Sequence, residues 1–245
     1  MSLSRTTATA ARVLFQLRRD PRTLVLLVVV PCVLILLVDQ LFAGREQVFQ
    51  SVGVPMLGLF PLISMFLVTS ITMLRERTTG TLERLLTTPL TKLELLLGYG
   101  AAFAVVAVAQ VAVVSFVGFG LLGLQSAHSK LLIVLLAVAN ALLGMAFGLF
   151  LSAFARTEFQ AVQFMPAFVL PQILLCGLFV ARDQMAVWLQ WISAALPLTY
   201  AFDALDTAAH DPTLGPRFWV DVAVVLGATL LALAFGAATL RRRTP

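Results

Sequence analysis

Charged residues divide this chain into long neutral stretches that are rich in aliphatic and aromatic side chains. Most of the stretches reach or approach the ~20 residues that an α-helix needs to cross ~30 Å of hydrocarbon. Because lipid cannot satisfy backbone N–H and C=O groups, the stretches are expected to be helical, and the alternation typical of a membrane barrel is absent from the sequence. They cover residues 23–38, 47–74, 95–129, 131–155, 159–181, 184–202 and 222–240.

This pattern predicts an all-α membrane protein in which residues 1–245 form a single domain with six transmembrane helices. Residues 4–20 fit an amphipathic interfacial helix, with Val13, Leu14 and Leu17 on one face and Arg12, Arg18 and Arg19 around the other. The alternative is that this segment is only a basic flank of the first span. The six spans are predicted at roughly 22–42, 51–74, 94–123, 131–154, 160–181 and 218–240.

Composition supports a membrane protein, and the distribution of charge predicts its orientation. Apolar residues make up 60% of the chain and charged residues 12%, about half of the charged fraction of a soluble domain. In the six-span arrangement, thirteen of the 17 basic residues lie on one side, which is therefore the cytoplasmic side. Both termini are expected there, in a multi-pass protein of the cell membrane. The positive charge lies beside span ends, so it indicates membrane lipid and not nucleic acid as the partner.

The neutral stretch 184–202 is long enough to be a seventh span, but seven spans would place the arginines at 241–243 outside. The stretch contains Trp188, Trp191 and Tyr200, which favour the membrane–water boundary, and Pro197, which interrupts a helix. Residues 183–212 are therefore predicted to form re-entrant or surface-lying helices on the outer face. They follow a fifth span that is expected to be broken by its two prolines, Pro166 and Pro171.

The second cytoplasmic loop, residues 74–97, has the features of a short helix parallel to the membrane. Gly80 can serve as its N-cap, Glu83 lies near its positive end, and Pro89 ends it, so the helix is predicted at roughly 80–89. Its apolar face is formed by Leu82, Leu85 and Leu86. An apolar stripe beside charged residues suits docking into a groove of a soluble partner.

This loop resembles the coupling helix of the ABC-2 family of exporter permeases. The residues that carry the resemblance are Glu76, Arg77, Gly80, Thr81, Leu82, Glu83, Leu85 and Pro89. The segments MPAFVLPQILLCGLF and LPLTYAFDAL, with Pro166, Pro171, Pro197 and Tyr200, are similar to the family's fifth span and the outer re-entrant helices before its last span.

The resemblance implies a permease subunit that exports a drug, an antibiotic or a glycolipid. Two permeases would pair around a central path, each seated on a nucleotide-binding ATPase subunit that carries ATP and Mg. This chain would bind no cofactor and would not be an enzyme. Independently of the family, its two lysines, Lys92 and Lys130, follow Thr91 and Ser129, so the Gly-Lys pair of a P-loop is missing.

Three alternatives remain at this point: an ion-coupled secondary transporter, a membrane-embedded enzyme and an assembly subunit. The neutral stretches carry no ionisable group at their centres, which disfavours ion coupling, and they show no catalytic or metal-ligand spacing, which disfavours an enzyme. Polar residues within the spans either form helix-to-helix hydrogen bonds or line a substrate path, and the path candidates are Gln110, Asn140, Gln163 and Gln172. Gly144 and Gly148 are expected to permit close helix packing.

Overall fold

The computed structural model describes residues 3–87 and 91–239, and all regular elements within these ranges are helical. The all-α prediction is therefore confirmed. A π-helical turn, Val117–Leu121, prolongs α5, and a short 3₁₀ turn, Arg182–Gln184, precedes α8. The helices are α1 (Leu3–Arg18), α2 (Pro21–Leu41), α3 (Glu46–Thr78), α4 (Thr81–Thr87), α5 (Lys92–Phe116), α6 (Lys130–Leu151), α7 (Glu158–Leu175), α8 (Val187–Ala195), α9 (Pro197–His210) and α10 (Pro216–Ala238).

Five of these helices are long and apolar enough to cross a membrane: α2, α3, α5 with its π-helical turn, α6 and α10. They correspond to five of the six predicted spans. The remaining one, 160–181, corresponds to α7, which has 18 residues and contains three glutamines that make it less apolar than the others. The breaks expected at Pro166 and Pro171 are not observed, because α7 continues through both prolines. Neighbouring groups can satisfy the carbonyls that a proline frees in a packed helix.

The centre of the fold is the pair α3 and α6, which approach closely at two glycines. A Cβ atom on Gly144 would lie 2.2 Å from the carbonyl oxygen of Leu62, and one on Gly148 would lie 2.1 Å from Thr69 Oγ1. Thr69 Oγ1 also lies 3.2 Å from the carbonyl oxygen of Met145 across the interface. The packing predicted for Gly144 and Gly148 is thus confirmed, and its cause is the absence of side chains where two backbones meet.

Helix α1 packs against α5 through its apolar face. Val13 and Leu17 are buried in a cluster with Leu95 and Tyr99 of α5. Gly98 allows this approach, since a Cβ atom there would lie 2.6 Å from Thr9 Cβ. The apolar face of α1 therefore contacts α5 of the same subunit.

The short helices α8 and α9 form a hairpin whose turn is at Leu196. Pro197 is the first residue of α9, a position where its missing N–H costs no hydrogen bond. Tyr200 Oη donates to the carbonyl oxygen of Ala194, 2.6 Å away, at the end of α8. Ser193 Oγ donates to the carbonyl oxygen of Leu175 at 2.8 Å, which joins the hairpin to the C-terminal end of α7.

Candidate functional site

The two ends of the bundle carry different polar clusters, which we call the Arg75 end and the Asp203 end. At the Arg75 end lie α1, the end of α3, α4 and the start of α5. The connection from α3 to α4 passes through Gly80, whose φ of 73° is in the left-handed region. The carbonyl oxygen of Gly80 accepts from Arg84 N at 3.1 Å, so Gly80 lies at the N-cap position of α4. A left-handed conformation costs a residue with a side chain about 1–2 kcal/mol, which explains a glycine here.

Glu76, the first residue of the coupling motif, is buried and lies beneath α1. Its Oε1 atom is 3.3 Å from Arg12 Nη1, and Arg12 Nη2 donates to the hydroxyl of Tyr99. The exposed fraction is 6% for Glu76 and 0% for Tyr99. These three residues, which we call the inner brace, join α1, α3 and α5. Glu76 therefore fixes the end of α3 within this subunit.

The other motif residues are distributed around α4. Arg77 Nη2 lies 3.4 Å from Thr239 Oγ1, just after α10, and Leu85 is half-buried against the core cluster that contains Val13 and Tyr99. Among the side chains of α4 that the structure describes, Arg84 and Thr87 are exposed, one turn apart. Thr81 is half-buried beside Thr79, with 3.0 Å between their hydroxyl oxygens. The side chains of Leu82, Glu83 and Leu86, and all of Pro89, lie outside the described residues.

A capping box that the sequence reasoning missed begins α5. Thr91 Oγ1 accepts from Glu94 N at 3.2 Å, and Glu94 Oε2 accepts from Thr91 N at 2.9 Å. The spacing Thr-x-x-Glu before an apolar run is the signal that would have revealed it. The inner brace had no such local signal, because Arg12 and Glu76 are 64 residues apart.

The four path candidates lie in different environments. Gln110 is buried and donates to the carbonyl oxygen of Leu27 at 2.8 Å, joining α5 to α2. Asn140 is buried where α6 meets α9, and Gln172 is buried and donates to a carbonyl of its own helix at 3.1 Å. Gln163 is exposed on α7. The structure does not bring the four together, and it encloses the first three within this subunit.

At the Asp203 end, one carboxylate joins three segments. Asp203 Oδ2 accepts from Arg182 Nη1 at 3.1 Å and from Arg217 Nη2 at 3.3 Å, which ties the α7–α8 connection and α10 to α9. Burial raises the pKa of Asp203, and the two guanidinium groups oppose that rise. A second pair joins His210 Nδ1 to Asp206 Oδ1 at 3.0 Å. Within 3–87 and 91–239, no three His, Cys, Asp or Glu side chains are arranged to hold a metal ion.

Comparison with known proteins gives one family and a small set of relatives. The family model described as "ABC-2 type transporter" matches residues 5–208. The chain is 31% identical over 148 residues to the probable multidrug ABC transporter permease YbhR of Escherichia coli K12, an alignment that covers 60% of this chain and 40% of that protein. It is 24% identical over 138 residues to ABC transporter G family member 20 of Dictyostelium discoideum, covering 56% of this chain and 19% of the relative. The chain thus spans well under half the length of these relatives.

Proposed function

The chain belongs to the ABC-2 type transporter family, and from this premise we propose that it is the membrane subunit of an ATP-driven exporter. A separate nucleotide-binding subunit, carrying ATP and Mg, would supply the energy, and two permeases would pair around the path. The cargo is an amphipathic or lipid-like compound such as a drug, an antibiotic or a glycolipid. The word "multidrug" in the name of the E. coli relative favours a drug.

The observation that carries this proposal is how α4 is attached to the bundle. Gly80 sets α4 at an angle to α3, and Leu85 packs on the same cluster that the inner brace holds together. A push on α4 from a partner would therefore be transmitted to α1, α3 and α5 at once. Leu85 faces its own subunit, and the described surface that α4 offers to an ATPase includes Arg84 and Thr87.

We further propose that α7 is the remaining span, the fifth of six in chain order. Its first residue, Glu158, is bound by Arg75, with 2.7 Å between Oε1 and Nε, at one end of the bundle. Its last residue, Leu175, is bound by Ser193 of the hairpin at the other end. At 1.5 Å per residue, 18 residues extend about 27 Å, close to the thickness of the hydrocarbon core. Six spans bring both termini to the Arg75 end, which carries the basic residues of the cytoplasmic side.

The exposed face of α7 is the proposed wall of the path between two permeases. Gln163 is exposed there among apolar side chains such as Phe159 and Phe168. An apolar wall with isolated polar groups suits an amphipathic cargo. The buried Gln110, Asn140 and Gln172 act in helix packing in this arrangement.

A pull-down tests the ATPase interface. The tagged chain is expressed with the P-loop ATPase encoded nearest to it, and the copurified ATPase is quantified for the unchanged chain and for Arg84→Glu. We expect Arg84→Glu to reduce the ATPase retained by about tenfold, the effect of losing about 1.4 kcal/mol of binding free energy. The matched control is Arg45→Glu, an exposed residue between α2 and α3 on the opposite side of the six-span arrangement. Equal retention by the two variants would contradict the proposed docking surface.

A transport assay separates the exporter from an ion-coupled carrier. Inverted vesicles containing the chain and its ATPase are incubated with a fluorescent amphipathic drug in the outer solution. Uptake should require ATP and survive collapse of the proton gradient by an uncoupler. Uptake that needs the gradient and ignores ATP would refute the exporter and favour the carrier.

A further inference from the structure

A groove of about 560 Å³ lies between the α1–α2 corner and the inner half of α3. No described residue of α7 lines it, and α4 contributes Thr81. One wall is formed by α2, which has the smallest buried fraction of the five candidate spans. We therefore place the groove on the side of the bundle that faces the bilayer. On α3 its lining extends from Ser64 to Thr79, which at 1.5 Å per residue is about 22 Å. Half of a bilayer with its headgroups measures about 20–22 Å, so the groove is as deep as one leaflet.

The polarity of the lining changes along this depth. Leu26, Val30, Leu67 and Ile71 line the part towards the membrane centre, where acyl chains lie. Ser64 also lines this part, and its hydroxyl donates to the carbonyl oxygen of Phe60. Charged and polar groups line the opposite part, at the Arg75 end. A gradient of this kind matches an amphiphile of the adjacent leaflet, with its headgroup level with Arg75 and one chain along the leucines.

The polar part presents both signs of charge. The carboxylate of Asp20 accepts from Thr23 N and Oγ1, at 3.3 and 2.6 Å, and keeps further acceptor positions. Arg75 is bound to Glu158, but its side chain remains 55% exposed and close enough to contribute to the lowered pKa of Asp20, whose main cause is the Thr23 hydroxyl. Among the described residues no ion pair joins Asp20 to Arg75 directly. A ligand that places an ammonium group on one and a phosphate on the other would complement both.

Glu76 adds a second observation at the same level of the groove. It lines the groove although only 6% of its surface is exposed. Oε1 is held by Arg12, whereas Oε2 is buried and has no hydrogen-bond partner among the described groups. A buried carboxylate oxygen without a donor is costly, and the positive charge of an ammonium group bound in the groove would offset part of that cost.

We propose that this groove binds one phospholipid of the adjacent leaflet with an ethanolamine headgroup. The primary ammonium donates to the carboxylate of Asp20, the phosphate accepts from Arg75 and the nearby threonine hydroxyls, and one acyl chain fills the apolar part. A quaternary ammonium has no N–H to donate, and an anionic headgroup without an amine meets the carboxylates unfavourably. The lipid is a resident ligand of the fold, so the proposal does not depend on transport.

Native mass spectrometry of the full chain, with any copurified subunit retained, tests this lipid site. Phosphatidylethanolamine, phosphatidylcholine and phosphatidylglycerol are titrated separately, and we expect the ethanolamine lipid to bind about tenfold more tightly, the effect of one charge-assisted hydrogen bond. Asp20→Asn should abolish this preference and leave choline-lipid binding unchanged. Asparagine also caps helices, so α2 keeps its N-terminal hydrogen bond and the variant is expected to fold.

Two further variants address the apolar part. Ile71→Trp fills it and should displace one bound lipid of any headgroup, whereas Leu37→Trp, on the exposed outer part of α2, should displace none. Equal affinity of the unchanged protein for the three lipids, an unchanged headgroup preference in Asp20→Asn, or an unchanged lipid count in Ile71→Trp would overturn the proposal. So would efficient disulfide crosslinking of Leu67→Cys between two chains in a background without Cys32 and Cys176, because a second copy would then occupy the groove.

Discussion

Removing either charge of the inner brace should destabilise the protein measurably, because Glu76 is almost fully buried. Two unit charges 3.3 Å apart attract by about 5 kcal/mol at an effective dielectric constant of 20. Desolvation cancels much of this energy, and Arg12, whose side chain is 28% exposed, retains contact with solvent. We therefore expect Glu76→Gln to lower the free energy of unfolding by about 2 kcal/mol, below the 3–5 kcal/mol of a fully buried pair.

A double-mutant cycle isolates the interaction. Glu76→Gln, Arg12→Gln and the double variant are purified in the same detergent, and thermal unfolding is followed by tryptophan fluorescence. For a chain of this size, 1 kcal/mol corresponds to about 2–4 °C in Tm, so each single variant should lose about 4–8 °C. The double variant should lose clearly less than the sum of the two, since each single change leaves one unpaired charge. Arg18→Gln, at an exposed position of the same helix, is the control and should shift Tm by less than about 2 °C.

Additivity would refute this reasoning. If the two single changes add to within about 0.5 kcal/mol, the two side chains do not interact energetically, and the inner brace is a contact without consequence. Tyr99→Phe provides an independent check, because it removes only the hydroxyl that accepts from Arg12. Loss of that neutral partner should cost about 1 kcal/mol, less than loss of the carboxylate.

Three further predictions concern backbone contacts and the Asp203 end. Gly144→Ala should reduce the yield of folded protein or lower Tm by more than about 4 °C, because the new Cβ would lie 2.2 Å from a carbonyl oxygen. The control Gly227→Ala, which has open space around its Cβ, should change neither the yield nor Tm by that much. Gly80→Ala should lower the free energy of unfolding by about 1 kcal/mol, because residue 80 has a positive φ. Gly80→Asn should lower it less, and measurements of Tm and of ATPase retention compare the two variants. Asp203→Asn should speed amide hydrogen exchange in the connection from α7 to α8, because both arginine pairs are lost; unchanged exchange would contradict its linking role.

Periodicity and charge predicted the helical class and most of the spans, because each of these features is set by neighbouring residues. A neutral stretch such as 131–155 must be helical wherever its partners lie, and the structure has α6 there. The N-cap at Gly80 and the close contacts at Gly144 and Gly148 were likewise predictable from local residue type.

The features that sequence reasoning could not supply are those that depend on distant residues. An amphipathic pattern shows that Arg12 lies on the polar side of α1, but lipid headgroups and the carboxylate of Glu76 satisfy an arginine equally well. For the same reason the leucine stripe of α4 was assigned to a partner, although Leu85 packs on its own subunit. The spacing of apolar residues along a helix shows which face is buried and does not identify what buries it.

The position of α7 shows how these two kinds of information combine. It is the least apolar of the six proposed spans, with two prolines and three glutamines in 18 residues. Its ends are nonetheless fixed by Arg75 at one side of the bundle and by Ser193 at the other. A helix surrounded by lipid would be selected for apolar side chains along its whole surface. A helix that crosses the membrane and keeps Gln163 exposed is better explained if that side meets a second subunit or an aqueous path, which is the role that the exporter proposal gives it.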